Sequence, residues 1–89
     1  MPTAHLIIKG RVQGVFYRAS AKQVAREIGV TGWVKNTDEG DVEMVAAGTE
    51  EQLRKFIDWC KVGPARAKVT EVVIDYIEGE SFKNFEIRK

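Results

Sequence analysis

Two places in the 89-residue sequence combine residue types that can do chemistry on an anion. The first is Gly10-Arg-Val-Gln-Gly-Val-Phe-Tyr-Arg18. Successive backbone N–H groups of a loop that runs into a helix N-terminus can converge on a negative ligand, and the helix dipole favours that sign of charge. The loop amides from about Gln13 through Gly14, Val15, Phe16 and Tyr17 to Arg18 are the candidates for this cradle. Gly14 lets the backbone approach without a Cβ in the way. Arg18, in the expected first helical turn, adds a guanidinium fork that matches two oxygens of a phosphate. A cation is unfavourable at a helix N-terminus, so an anionic ligand would account for one there. The second place is Asn36, whose side-chain carbonyl can accept from a water while its amide donates to an oxygen. On their own these residues leave plainer readings open: Gly14 as an ordinary turn, Arg18 as a solvated side chain, Asn36 as a turn residue. The Gly-x-x-x-x-Gly-Lys-Ser/Thr order of a nucleotide P-loop is absent.

Other reactive spacings carry less. Cys60 and Arg66 have the Cys-x5-Arg spacing of cysteine-dependent phosphatases. That chemistry needs a thiolate at a helix N-terminus. Cys60 instead falls on an apolar stripe near an expected helix C-terminus, where the dipole opposes a thiolate, and Pro64 removes a backbone donor. It reads as a small buried hydrophobe. His5 has no partner at ligand spacing and reads as a half-exposed strand residue. No metal site and no cofactor are expected.

Composition narrows the class. Fourteen basic residues against 13 acidic give a net charge of +1, far from the basic footprint of a duplex-binding protein. Any anion site must therefore be local. The single cysteine forbids an intrachain disulfide and a Cys-x-x-Cys metal carrier, and fits a reducing compartment. The N-terminal segment lacks the features of a signal peptide, and no apolar run approaches bilayer-spanning length. The expectation is a cytoplasmic, monomeric protein forming one domain over residues 1–89, with neither a nucleic acid nor a membrane as partner.

The elements that must position the reactive residues follow from periodicity. Residues 4–9 alternate as a strand, with Leu6 and Ile8 on one face. Residues 10–17 read as a loop. Tyr17, Ala21, Val24, Ala25 and Ile28 then form a helical stripe, and Gly29 stands where a helix-terminating glycine belongs. Residues 30–35 and 41–47 read as strands joined by a connection of hairpin length. A second helix opens at Thr49 with a capping box to Gln52. It buries Leu53, Phe56, Ile57 and Cys60, and ends at Gly63-Pro64. Residues 69–77 alternate Val72, Ile74 and Tyr76 against Glu71, Val73 and Asp75. Residues 85–88 form a short closing strand.

The order is β-α-β-β-α-β with an extra C-terminal strand. It predicts a ferredoxin-like α+β sandwich: an antiparallel sheet with two helices on one face. The first βαβ unit makes strands one and two parallel, so the loop and Asn36 leave from the same sheet edge. One intervening strand puts them on the order of 10 Å apart, from a strand spacing of about 4.8 Å. A tetrahedral anion, a water and two side chains span that distance. The fold can also carry RNA, but that use needs exposed aromatics on the middle strands. Residues 41–47 contain none, and Trp33 is expected to pack on or cover the core.

The two motifs resemble those of the acylphosphatase family. Gly10, Val12, Gln13, Gly14, Val15 and Arg18 match its first signature in step. Gly32, Trp33, Val34, Lys35, Asn36, Gly40, Val42 and Gly48 match its second. The segment Gly63-Pro64-Ala-Arg-Ala-Lys-Val69 is similar to the connection that follows the family's second helix. One position departs: Tyr17 stands where the family usually has Phe or Met, and its hydroxyl is expected either to alter substrate preference or to point to solvent. The resemblance implies metal-independent hydrolysis of a small-molecule acyl phosphate to a carboxylate and inorganic phosphate, without a covalent intermediate. It implies that Arg18 and the loop amides hold the phosphate and that Asn36 places the water. Intact Arg18 and Asn36 argue against a degenerate site kept only for binding.

Overall fold

The computed structural model describes residues 2–79 and 82–88. Its elements run β1 (Thr3–Arg11), α1 (Tyr17–Ile28), β2 (Thr31–Asn36), β3 (Val42–Ala47), α2 (Glu50–Cys60), β4 (Lys68–Ile77) and β5 (Phe85–Ile87). The sheet order is β4-β1-β3-β2-β5. β1 pairs antiparallel with β3 and β4, and β2 pairs antiparallel with β3. These four strands are the expected ferredoxin-like sheet. β5 joins it parallel to β2, so the five-stranded whole is mixed.

Both helices cover the face from which Ala4, Leu6, Ile8, Val34, Val42, Met44 and Ala46 project. Tyr17, Ala21 and Ala25 of α1 and Leu53, Phe56, Ile57 and Cys60 of α2 close the same core. The alternation of buried and half-buried residues along β1 is what a one-face-buried strand requires. Phe85 brings β5 into the core, edge-on to the Phe56 ring at 5.5 Å.

The helix ends are built differently. At α2, Thr49 and Gln52 make the reciprocal capping box, and Glu50 and Glu51 complement the dipole. The Gln52 amide also donates to the Ile28 carbonyl at 3.2 Å, so the start of α2 satisfies an orphan at the end of α1. α1 ends on a left-handed Gly29, whose N–H bonds the Ala25 carbonyl. Its start carries neither a side-chain cap nor an acidic residue.

Several expectations are corrected. β1 extends through Gly10 and Arg11, beyond a register shift at Lys9/Gly10. A Cβ on Gly10 would lie 2.1 Å from the Lys68 carbonyl oxygen, so close pairing with β4 is why a glycine stands there. The loop is therefore shorter, confined to residues 12–16. Trp33 does not pack on the core. It faces the open side of the sheet, opposite in phase to Val34, with Lys35 and Arg88 stacked at 5.6 and 5.0 Å from its ring. Val72 and Ile74 reach the core, whereas Tyr76 is 72% exposed.

Candidate active site

β1 and β2 both run antiparallel to β3, so their C-terminal ends share one edge of the sheet. The loop leaves the first of these ends, and Asn36 is the last residue of the second. Arg18, Asn36, Gly14 and Phe16 line one cavity of about 320 Å³. The topological argument from the sequence thus brings these residues together. A larger groove of about 480 Å³ between α2 and β4 contains none of them.

The loop reaches α1 through two left-handed residues. Gly14 has φ 72°, which a glycine takes without strain. Phe16 has φ 63° and is the only non-glycine residue with positive φ among those described. A bulky side chain held in that region costs on the order of 1–3 kcal/mol and persists only where the surroundings enforce it. Phe16 is also 75% exposed, so burial does not explain its placement. Its carbonyl accepts from Ser20 N–H at 3.0 Å, which starts the helix. The N–H groups of the first turn have no intrahelical partner, and no side chain caps them. α1 thus opens towards the cavity with unsatisfied donors, whereas α2 satisfies its own.

The remaining site residues fall as follows. Arg18 is half-buried and forms no ion pair among the described residues. The Asn36 side-chain oxygen is buried and has no hydrogen-bond partner among the described residues. A buried acceptor without a partner is rare and costs about 1–3 kcal/mol. Val15 turns its side chain into the core. Gln13 turns its amide away from the cavity, to the carbonyls of Thr37 and Asp41. Tyr17 corrects the expectation that its hydroxyl points to solvent. It is 1% exposed and donates to the Cys60 carbonyl at 2.7 Å. Desolvation raises its phenol far above the ordinary value, so it stays neutral.

Sequence reasoning missed one wall. Val12 and Ile87 line the cavity together with Phe16 and add apolar surface to it. Ile87 enters because β5 pairs parallel to β2, with Val34 opposite Ile87. Only the closing strand itself hinted at this in the sequence. Cys60 is buried beside the Met44 sulfur at 3.7 Å, and burial pushes its thiol up to about 12. It lies outside the cavity and is no nucleophile. Among the described residues no cluster of His, Cys, Asp or Glu has metal-site geometry, and no helix is long and apolar enough to cross a membrane.

A ferredoxin-like α+β sandwich whose strand-to-helix loop opens an uncapped helix onto an arginine- and asparagine-lined cavity defines a small phosphate-handling protein. The acylphosphatase family model matches residues 4–87. The chain is 48% identical to an acylphosphatase of Haloquadratum walsbyi over 97% of its own length and 92% of that protein. It is 56% identical to one of Marinobacter nauticus over 76% of its length and 74% of that protein. The crystal structure of acylphosphatase from Bacillus subtilis superposes with a TM-score of 0.96 at 36% identity, covering all of both chains. This chain belongs to the acylphosphatase family, hydrolases that act on acyl phosphates.

Proposed function

We propose that this acylphosphatase cleaves its substrate by direct attack of water on phosphorus, as a monomeric cytoplasmic domain spanning residues 1–89 that needs no metal. The loop amides from Gln13 to Arg18 and the Arg18 guanidinium hold the phosphate, and Asn36 places the water. The cavity that Asn36 shares with Arg18 and the first turn of α1 is the observation that carries this reading. A water in that cavity, held by the Asn36 side chain, would stand beside the anion site.

The chemistry asks little more of the protein. Water oxygen bonds to phosphorus, the bond from phosphorus to the acyl oxygen breaks, and the carboxylate leaves with the electron pair. A carboxylic acid has a pKa of about 4–5, so the leaving group needs no general acid. Asn36 cannot serve as a base, and the water's proton passes to the phosphate oxygens. Catalysis then rests on positioning and charge stabilisation, the main demands of phosphoryl transfer. The apolar wall of Val12, Phe16 and Ile87 suits the acyl group.

Hydrolysis of benzoyl phosphate by wild type and by Arg18→Ala, with EDTA present, tests this reading. Turnover that persists in EDTA and falls on the order of 10³-fold in the variant supports it, within the range for arginine contacts to a transferring phosphoryl group. Near-wild-type turnover by Arg18→Ala removes Arg18 from the mechanism. Loss of turnover in EDTA contradicts metal independence.

A further inference from the structure

Gln13 belongs to the first motif, yet its side chain serves the second. Its amide nitrogen donates to the carbonyls of Thr37 at 2.8 Å and Asp41 at 2.7 Å. Those carbonyls stand at the two ends of the β2–β3 connection, which begins immediately after Asn36. The connection is already closed by its own bonds. Thr37 N–H donates to the Asp41 carbonyl at 2.9 Å, Gly40 N–H to the Thr37 carbonyl at 3.2 Å, and Asp41 N–H to the Thr37 hydroxyl at 3.1 Å. The turn therefore does not need Gln13. What Gln13 adds is a link between two separate chain segments, one leading to Arg18 and the other following Asn36.

We propose that Gln13 is a positioning residue that fixes Asn36 relative to the phosphate loop. This rests on the reading that Asn36 places the attacking water. A planar amide offers two donors from one nitrogen and so spans two carbonyls at once. Asparagine has the same group but is one methylene short, and glutamate has the length but no N–H. Without the link, loop and connection move independently, and a displacement of about 1 Å at reacting groups costs on the order of 10²-fold in rate.

The test is a double-mutant cycle on acyl phosphate hydrolysis using Gln13→Met and Asn36→Ala. Gln13→Met keeps volume and removes both donors. The expected result is a fall in kcat of roughly 10- to 100-fold, with inhibition by inorganic phosphate changed less than about threefold. In the Asn36→Ala background the same substitution should cost less than about threefold, because the group it positions is gone. Equal losses in both backgrounds, or a loss confined to KM, overturn the proposal and leave Gln13 as a general support. Should Gln13→Met fail to fold, Gln13→Glu takes its place in the cycle. Dispersion of the Asn36 side-chain amide signal by NMR needs no turnover: added mobility in the Gln13 variant supports the link, and unchanged mobility overturns it. Wild-type turnover by Asn36→Ala would sink the underlying reading, whereas an impaired Asn36→Ala beside an unimpaired Gln13→Met sinks only the link.

Discussion

The Tyr17 hydroxyl donates a 2.7 Å hydrogen bond to the Cys60 carbonyl, joining the first residue of α1 to the last residue of α2. The last four carbonyls of a helix have no partner within it, and this bond satisfies one of α2's inside the core. The Trp59 ring packs on Tyr17 at a centroid distance of 5.4 Å. The residue that begins α1 is thus anchored across the core to the end of α2.

Tyr17→Phe should therefore weaken the fold more than it alters specificity. It leaves the Cys60 carbonyl buried without its donor, at a cost of about 1–3 kcal/mol. For a domain of this size each 1 kcal/mol lowers Tm by roughly 4–8 °C. Thermal unfolding measures the change. A Tm within about 1 °C of wild type would show that the bond contributes nothing net.

Asn36→Ala should act on turnover rather than on binding. The expected outcome is a fall in kcat on the order of 10²-fold, while inorganic phosphate inhibits nearly as well as before. Steady-state kinetics with phosphate as competitor separates the two. An effect on KM alone would contradict a water-placing role.

Cys60 should be inert in the folded protein. Its thiol is fully buried and pushed up to about 12 by that burial, so almost no thiolate exists near pH 8. Iodoacetamide at that pH should leave activity and mass unchanged, and should add one adduct only after denaturation. Stoichiometric alkylation with loss of activity in the native state would return the cysteine to consideration.

Glu43 should support the fold at neutral pH and progressively less in acid. The His5 ring lies 2.7 Å from its carboxylate and the Lys35 ammonium 3.5 Å, and together they outweigh the desolvation that opposes them. The carboxyl is thereby held below its ordinary value, principally by the bond to His5. In the window between the folded and unfolded pKa values the unfolded chain binds more protons, so stability rises with pH there. The contribution is complete above the unfolded value of about 4.3 and is lost as pH falls through the lower folded value. Urea unfolding of wild type and Glu43→Gln at several pH values reads this directly. The two stabilities should converge towards acid, and a constant difference would exclude the linkage.

The sequence made the architecture legible because most of its signals agree. The stripe from Tyr17 to Ile28, the Thr49–Gln52 box and the alternation of Leu6 and Ile8 each have one physical meaning, and the structure adopts each. Arg18 and Asn36 were brought to one cavity by topology alone. The unread parts depend on neighbours that a linear pattern does not contain. Trp33 has an aromatic strand residue's pattern on either face, and only Lys35 and Arg88 beside it decide for the open side. Residues 85–88 fit either sheet direction, so neither the parallel pairing of β5 nor Ile87 in the cavity could be read. The destination of the Tyr17 hydroxyl depends on a carbonyl 43 residues away.

β3 lies between the two strands that end at the loop and at Asn36. An early β1-α1-β2 unit would contain both motifs and still lack the strand that sets their spacing. Bringing β3 into place closes loops that join residues far apart in sequence, a slow kind of step. The cavity shared by Arg18 and Asn36 is therefore expected to form late as this chain folds. Regain of hydrolysis during refolding would trail the regain of helix, and its rate would time completion of the sheet.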